Sequence, residues 1–585
     1  MTTSTPSGNP ASLGAPAASR GLRFGEQQGA ASRRPARPLA ALPKRPDSSA
    51  TRTFRRLAID RTGRRSFTHS LLLPESLRRF ASRSAQAVVV CLAGALTLAS
   101  VPATAHASPD PLARYHRQHL TWKSCVLGPD DDTGKELRQA GAQCADVTVP
   151  LNYDAPDGRT ITVAISRIRA TDTKHRVGAL LLNGGGPGGP TIGDPPWVRE
   201  TMKDVGRRYD VVGVDPRFVG RSTPLDCHWP TGSFIRGAGT GRAGFDHSTA
   251  LARELAQLCR THEGDVLPYV TTRNTARDMD VIRAALGERR ISYLGYSYGS
   301  YLGQVYATMF PGRTDRVVLD GVLSADRYSP RLLRSARAAN RHALKDWAVW
   351  AAARDVTYGL GRTRDAVLAA VDRVQAAAAR TPLSLGGHRV DDHLVPVIVF
   401  NGLSQDNDAA YGDLAQAVRD MRRAADGHAV TPAPWLADTL SFVLTGSGSH
   451  YGSVQTAILC GDVAAPRDPE TYWRDVQRAR RKDPLFGPVT DNIGPCAFWD
   501  PPREHPTTIR DDLSALLVNA TGDPRTTYQS AQTVRRMWPA SRLVTLRGAY
   551  QHAVYGVFGS SCVDATVNRY LADGRLPRAD VTCAT

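Results

Sequence analysis

Residues 291–303 read ISYLGYSYGSYLG, and they are the strongest indication of fold class in the chain. Its apolar start predicts a short buried strand, residues 295–299 predict a sharp turn, and the remainder predicts a helix. A serine on such a turn, here Ser297, is lifted out of the sheet on a strained backbone. The flanking glycines are needed because a Cβ there would collide with the neighbouring strand and helix. The helix behind it points free N–H groups at whatever the serine attacks. We therefore predict a nucleophilic role for Ser297, although G-x-S-x-G also occurs by chance as a plain glycine-rich turn.

The residues around this turn alternate between strand and helix patterns, which predicts an α/β sheet. Residues 274–286 have the period of a helix, and Thr275 with Asp278 resembles a capping box at its start. The first two predicted strands are antiparallel, and the others form short buried runs. The predicted strands are 147–150, 160–169, 179–183, 209–215, 291–295, 317–320, 516–519 and 543–546.

The alternation lapses between residues 326 and 505, where residues 331–379 are rich in Ala and Arg and helical in period. We interpret this segment as an inserted, mainly helical cap over the carboxyl edge of a mostly parallel sheet. That edge is where open α/β sheets bind ligands. The predicted organisation is a leader, a first core segment, the cap and a second core segment, at 1–107, 108–325, 326–505 and 506–585 respectively.

The polar residues after Ser297 follow the order of a serine hydrolase, which requires a nucleophile, a base, an acid that orients the base, and oxyanion donors. In α/β-hydrolases the order is Ser, acid, His. Asp523 follows the next-to-last predicted strand, and His552 follows the last. We predict a triad of Ser297, Asp523 and His552. Asp523 could instead be a turn residue before proline, and His450 and His505 in the cap are rival bases.

A glycine-rich loop, NGGGPGGP at residues 183–190, directly follows a predicted buried strand. Consecutive glycines let backbone N–H groups approach a substrate carbonyl closely. We predict that the N–H of Gly186, assisted by that of Gly185, forms the oxyanion site with the N–H of Tyr298. The alternatives are a tight turn and a phosphate loop, but the loop has no Gly-Lys-Ser/Thr ending and no GxGxxG that opens a helix.

Most of the chain's positive charge lies in the leader. Residues 1–107 contain 16 Lys and Arg against 4 Asp and Glu, which leaves +7 of the net charge of +19 for residues 108–585. This distribution argues against a nucleic-acid-binding protein. After residue 107 no apolar run is long enough to span a membrane, so we expect no stable membrane insertion of the mature chain.

The end of the leader predicts a secretory signal peptide. Basic residues up to Arg83 precede an apolar run at 85–101, and residues 105–107 (AHA) supply a small-x-small cleavage pattern. The mature protein would begin near Ser108. We expect a secreted protein that is either free or held at the cell wall.

The cysteines agree with export. Of the nine, Cys91 lies in the apolar run of the leader, and eight remain in the mature chain. Eight cysteines allow about a hundred pairings. A metal site is the alternative, but no Cys-x-x-Cys or Cys-x-x-His pair is present, and we expect neither a metal nor a cofactor. The simplest pairing joins sequence neighbours: Cys125–Cys144, Cys227–Cys259, Cys460–Cys496 and Cys562–Cys583.

Four motifs together resemble the secreted tripeptidyl aminopeptidases of actinomycetes, relatives of the prolyl iminopeptidases within the α/β-hydrolase fold. They are GGGPGG at 184–189, VGVDPRFVGRS at 212–222, LGYSYGSYLG at 294–303 and GPCAFW at 494–499. The resemblance covers nearly all of residues 110–585. Each motif alone is unspecific, whereas the set is specific.

The resemblance implies a serine exopeptidase that releases short peptides, with tripeptides as the expected product, from free N-termini of peptides or proteins. It carries over the triad Ser297, Asp523 and His552, with an acyl-enzyme on Ser297. The chain departs from the family at two places. Phe218 stands where the family usually has Gly, and the His552 loop reads YQHAV instead of a glycine-rich sequence.

An exopeptidase also needs carboxylates at a fixed distance from the nucleophile, because it binds a free ammonium group. Asp406, Asp408 and Asp413 cluster in one segment of the predicted cap, and Asp462 follows Cys460 closely. Each of these could equally be an ordinary surface acid.

Two other functions are compatible with parts of this pattern. An esterase or lipase could use the same triad, and the sequence does not separate it from a peptidase. A catalytically inactive binding module is disfavoured, because all the catalytic parts are present in order.

Overall fold

The computed structural model describes residues 110–510 and 512–585. The predicted leader, its signal peptide and Cys91 lie outside these residues. Among the described helices, none combines the length and apolar character that a bilayer crossing requires.

The described residues form a nine-stranded sheet in the order β1-β2-β4-β3-β5-β6-β9-β10-β11. β1 and β2 pair antiparallel, β2 pairs antiparallel with β4, and the pairs from β4 to β11 are parallel. The predicted α/β class is therefore confirmed. The strands are β1 Gln143–Pro150, β2 Thr160–Ile168, β3 Gly178–Asn183, β4 Tyr209–Val214, β5 Ile291–Tyr296, β6 Thr314–Asp320, β7 Leu383–Leu385, β8 His388–Val390, β9 Leu516–Ala520, β10 Arg542–Arg547 and β11 Val581–Ala584.

Strands β3, β4, β5 and β9 are buried along their whole length because helices cover both faces of the sheet. In β3, Leu181 packs into the cluster on one face, whereas Leu180 and Leu182 pack into the cluster on the other. The helices are α1 Ala113–His116, α2 Asp132–Gln139, α3 Pro195–Thr201, α4 Arg242–Glu263, α5 Thr272–Ala285, α6 Tyr298–Met309, α7 Leu333–Ala352, α8 Asp355–Tyr358, α9 Arg364–Arg380, α10 Val395–Gly402, α11 Asp408–Ala425, α12 Pro434–Leu444, α13 Ser449–Asp462, α14 Pro469–Lys482, α15 Gly487–Thr490, α16 Tyr528–Met537 and α17 Ser561–Asp573.

The start of α5 differs from the predicted capping box. Thr271 is the N-cap, and its side chain accepts a hydrogen bond from the Asn274 N–H. Thr275 lies inside the helix, where its hydroxyl donates to the Thr271 carbonyl. Asp278 is buried, and its two carboxylate oxygens accept hydrogen bonds from Nε and Nη2 of Arg217, each at 2.6 Å. The predicted capping box was wrong, because Thr271, one turn before Thr275, caps the helix instead.

Helices α7 to α15 lie between β6 and β9, in the segment predicted as a cap. Helices α7, α9, α10, α11 and α12 share a hydrophobic cluster with the β7–β8 hairpin, separate from the sheet clusters. Helix α13 differs, since its residues Val454, Ala457 and Ile458 join a cluster of the sheet. The limits 326–505 stay a prediction.

Within the described residues four disulfide bonds are present, and they join the sequence-local pairs. The bonds are Cys125–Cys144, Cys227–Cys259, Cys460–Cys496 and Cys562–Cys583. Each constrains the unfolded chain and adds about 3 kcal/mol in the chain-entropy account.

The chain returns from the helical segment to β9 through residues that are anchored on α5. The Glu504 carboxylate receives hydrogen bonds from Arg277 at 2.7 and 2.9 Å and from Arg273 at 2.6 Å. The Arg277 guanidinium lowers the pKa of Glu504 to about 2, and Arg273 adds to this effect. Partial burial of the carboxyl opposes it. The ionised form is thus the one that folding favours.

We expect Glu504→Gln to lower the free energy of unfolding at pH 7 by about 1 kcal/mol. The effect is kept small by solvent screening, because the Glu504 side chain is 29% exposed. Because the folded state lowers the pKa, the stabilisation is complete above about pH 4.5 and is lost as the pH falls toward 2. Urea unfolding at pH 7, 5 and 3.5 should show a difference that shrinks only at the lowest pH. Exposed Glu254→Gln is the control, and a difference independent of pH would contradict the assignment.

Candidate active site

Ser297 lies on the turn between β5 and α6, with φ 55° and ψ −121°. This left-handed region is costly for a residue with a Cβ, and such strain persists only where packing enforces it. The flanking glycines are required by contact: a Cβ on Gly295 would lie 2.4 Å from the Gly299 carbonyl oxygen, and one on Gly299 would lie 2.5 Å from the Asn183 carbonyl oxygen. The motif therefore folds as the predicted turn.

The backbone of Ser297 is anchored while its hydroxyl is not. The Ser297 N–H donates to the Asp320 carbonyl at 2.8 Å. In the described part of the chain, the Ser297 side chain makes no hydrogen bond. The hydroxyl is thus available to a substrate.

His552 and Asp523 form a buried pair. The Asp523 carboxylate lies 3.0 and 3.1 Å from His552 Nδ1, and its side chain is fully buried. It also accepts the N–H groups of Arg525 at 2.8 Å and Thr526 at 3.0 Å, and the Thr526 hydroxyl at 2.9 Å. Asp523 therefore both builds its turn and orients the imidazole, so the two interpretations of this residue are compatible.

The rival histidines lie elsewhere. His450 is exposed at the start of α13, and His505 is exposed on the returning segment. Neither makes a hydrogen bond to Ser297 or Asp523 within the described residues.

Asp320 connects the nucleophile turn with the His552 loop, a role that the sequence analysis missed. Its carbonyl accepts the Ser297 N–H, and its buried carboxylate accepts the N–H of Val554 at 2.9 Å and of Tyr555 at 2.7 Å. Burial raises the pKa of Asp320 to about 7, against the effect of these N–H donors. An Asp at the end of a buried apolar strand was the available signal.

The glycine loop lies against the nucleophile turn. A Cβ on Gly185 would lie 3.0 Å from Ser297 Cβ and 3.2 Å from the Tyr298 nitrogen. The Gly185 N–H, however, donates to Asn183 Oδ1 at 3.1 Å. Across residues 110–510 and 512–585, the N–H groups of Gly186 and Tyr298 donate to no other group. Gly186 and Tyr298 therefore have unused N–H groups within the described structure, while Gly185 provides the close approach to the Ser297 turn.

Motif 212–222 supports this loop from behind. The buried Asp215 carboxylate accepts the N–H groups of Thr191 at 2.8 Å, Ile192 at 2.9 Å and Arg221 at 2.9 Å. Burial raises the pKa of Asp215, and these three bonds oppose the rise. Asp215 therefore has a structural role: it holds Thr191 and Ile192, the residues that directly follow the glycine loop.

Phe218 and the His552 loop, the two places where the chain departs from the resembled family, each include a residue with left-handed backbone. Phe218 has φ 68° and Ala553, directly after His552, has φ 60°. Glycine adopts such angles without strain. This chain keeps the turns with larger residues.

The four acidic candidates have different surroundings. Asp408 and Asp413 are exposed, and Asp408 pairs with Arg354 at 3.2 Å. Asp462 is buried, with both oxygens occupied by protein donors. Asp406 accepts the Tyr550 N–H at 2.8 Å, two residues before His552. Of the four, Asp406 is the one that contacts the His552 loop in the described structure.

A second carboxylate lies near Asp406. Asp346, on α7, accepts the Tyr411 hydroxyl at 3.0 Å. Burial raises the pKa of Asp346, the hydrogen bond from Tyr411 opposes the rise, and the nearby Asp406 carboxylate adds to it. Burial and both carboxylates raise the pKa of Tyr411. Neither acid forms an ion pair with a described residue, so negative charge accumulates beside the His552 loop.

A strained serine, a buried His–Asp pair and two free backbone donors at one sheet edge can together perform acyl transfer. Comparison with known proteins is consistent with this chemistry. Residues 178–365 match a family described as alpha/beta hydrolase fold, and residues 483–583 match one described as TAP-like protein.

Three relatives align with most of the chain. A tripeptidyl aminopeptidase of Streptomyces lividans is 36% identical over 494 residues, which is 81% of this chain and 88% of that protein. The serine protease Hip1 of Mycobacterium tuberculosis is 31% identical, over 76% of this chain and 87% of its own length. A carboxylesterase B of Mycobacterium tuberculosis is 32% identical, over 84% of this chain and 96% of its own length.

Replacement of Gly185 tests the close approach of the glycine loop. A Cβ there would meet the Tyr296 carbonyl oxygen at 2.6 Å and push the loop off the turn. We expect Gly185→Ala to lower kcat for a nitrophenyl ester by at least ~100-fold. Gly312→Ala is the matched control, because Gly312 has a similar φ of 77° against 95° but open space around it. Retention of most activity by Gly185→Ala, with Gly312→Ala also active, would refute the arrangement.

Proposed function

The chain belongs to the tripeptidyl aminopeptidase family of α/β-hydrolases, and from this premise we propose that it is a serine exopeptidase that releases short peptides, chiefly tripeptides, from free N-termini. The observation that carries the proposal is the buried His552–Asp523 pair beside the strained Ser297 turn. The substrates would be peptides or proteins with an unblocked N-terminus.

In the proposed mechanism, His552 takes the Ser297 proton while the hydroxyl oxygen attacks the scissile carbonyl. Asp523 holds Nδ1 of the imidazole and stabilises the positive charge that develops on the ring. The N–H groups of Gly186 and Tyr298 bind the oxyanion. His552 then protonates the leaving amine, and a water molecule activated by His552 hydrolyses the acyl-enzyme.

We assign Asp406 and Asp346 to recognition of the substrate ammonium group. They are two carboxylates without an ion-pair partner among described residues, and Asp406 is bonded to the loop that carries His552. An ammonium ion between them would neutralise charge that the protein leaves uncompensated. This placement on the α7–α11 side of the site would limit how many residues fit between the N-terminus and Ser297.

Esterase activity is the second candidate, because a carboxylesterase B is among the aligned relatives. The same triad and oxyanion donors would serve an ester. The two functions differ in whether the acidic pair matters for turnover.

We also propose that the protein is exported and works outside the cell, either free or held at the cell wall. The predicted signal peptide and the four disulfide bonds support this location, since disulfides persist in oxidising compartments. Comparison of the secreted and intracellular fractions of a producing culture would test it.

The reaction class is tested with three substrates: a tripeptidyl anilide with a free N-terminus, its N-acetylated form, and a short nitrophenyl ester. We expect the free peptide to be cleaved and the acetylated one to be left intact. Ser297→Ala and His552→Ala should each abolish turnover, whereas His505→Ala and His450→Ala should retain it. Fast ester cleavage with both peptides intact would reassign the enzyme as an esterase.

Asp406→Asn tests ammonium recognition, because the amide oxygen can still accept the Tyr550 N–H while the charge is lost. We expect KM for the free tripeptidyl anilide to rise by at least ~10-fold, with little change in ester turnover. Asp408→Asn, on an exposed acid of the same segment, should leave both unchanged. Equal effects on peptide and ester would indicate that Asp406 only supports the His552 loop.

A further inference from the structure

Helix α13, Ser449–Asp462, contacts the structures that carry both free oxyanion donors. Its first half packs on the glycine loop, and its last residue is linked to the Tyr298 side chain. We propose that α13 sets the geometry of the oxyanion hole, with Asp462 and Thr272 as positioning residues that hold Tyr298. The inference rests on the proposed oxyanion roles of Gly186 and Tyr298.

The first contact is close enough to demand glycine. A Cβ on Gly188 would lie 2.8 Å from Val454 Cγ1 and 3.2 Å from the Gln455 nitrogen. The Gln455 side-chain amide donates to the Pro187 carbonyl at 3.4 Å and to the Tyr451 hydroxyl at 3.2 Å. The loop that carries the Gly186 N–H is therefore packed directly against the helix.

The second contact is a directional chain of hydrogen bonds. Asp462 Oδ1 accepts the Thr272 N–H at 2.8 Å, and Oδ2 accepts the Thr272 hydroxyl. Because the threonine proton is directed to the carboxylate, the Tyr298 hydroxyl is the donor in its 2.6 Å contact with Thr272 Oγ1. Tyr298 is thus tied by its side chain, and its N–H begins α6 with no acceptor in the described structure.

The network is costly to keep, which argues for a role beyond packing. Asp462 is buried and forms no ion pair with a described residue; hydroxyl and amide donors alone satisfy it. Burial raises the pKa of Asp462 to about 6. A fully satisfied polar network of this kind fixes one arrangement of its members more strictly than apolar packing does.

Two features hold the far end of the helix. Cys460, two residues before Asp462, is bonded to Cys496. Tyr328 donates to Asp462 at 2.6 Å and stacks on Tyr301, with ring centroids 4.0 Å apart. Asp462 is therefore fixed independently of Tyr298 and can act as its anchor.

The test removes the link while it conserves shape. In Thr272→Val the hydroxyl is lost, and we expect kcat to fall by about 10-fold with KM changed less than about two-fold, since only the transition state uses the displaced donor. Thr272→Ser should restore kcat to within about three-fold of wild type. Tyr298→Phe, which keeps the N–H but loses the tether, should repeat the effect of Thr272→Val.

The matched control is Thr456→Val. Thr456 is a buried threonine of α13 whose hydroxyl has no hydrogen-bond partner in the described structure. We expect its kcat and KM to equal those of wild type. Unchanged kcat in Thr272→Val, or an equal loss in Thr456→Val, would overturn the proposal in favour of a purely structural network.

The choice of substrates separates this inference from the proposed function. Acyl transfer from a peptide and from an ester uses one oxyanion hole, so Thr272→Val should lower kcat by the same factor for both. If the wild type cleaves only the ester, the exopeptidase proposal fails while the ester data still decide the role of α13. If Ser297 reacts neither with the substrates nor with a fluorophosphonate probe, both proposals fail.

Discussion

The backbone of Ser297 is the constraint on which the site depends. A φ of 55° at a residue with a Cβ costs about 1–3 kcal/mol, and three surroundings enforce it. The Asp320 carbonyl holds the Ser297 N–H, Gly295 meets the Gly299 carbonyl, and Gly299 meets the end of β3 at Asn183. Because β3 then continues into the glycine loop, the strand that locks the turn also delivers the Gly186 donor. The Ser297 turn and the proposed oxyanion site thus both depend on one packing contact.

On the other side of Ser297, Asp320 links two parts of the site in a similar way. Asp320 ends β6 next to β5, so its carbonyl reaches the turn while its carboxylate reaches the backbone after His552. A Cβ on Gly321 would lie 3.4 Å from His552 Cε1, so the base lies over this strand end. Displacement of β6 would therefore move nucleophile and base together, which protects their relative geometry better than separate anchors would.

Sequence reasoning predicted the parts whose physical requirement is local. Apolar runs predicted the central strands, and the chain order of Ser297, Asp523 and His552 predicted a triad, of which the structure brings His552 and Asp523 into contact. It missed β11, where only Cys583 of four residues is buried, and the short β7–β8 hairpin, because neither has an apolar run. It also could not assign the Gly185 N–H to Asn183, or separate Asp406 from Asp408, since both depend on contacts that chain order does not encode.

The two left-handed residues show how packing and strain compete near the site. Phe218 has φ 68°, which costs about 1–2 kcal/mol relative to glycine, yet its side chain is 3% exposed. Burial of a phenylalanine side chain stabilises the fold by about 2–3 kcal/mol, which slightly exceeds the cost of the strained backbone. Burial of Ala553 does not offset the strain in this way, because its side chain is a single methyl group. The strained backbone at Ala553 is therefore maintained by the hydrogen bonds that Val554 and Tyr555 donate to Asp320. The position of His552 thus depends on a buried carboxylate more than on the conformational preference of Ala553.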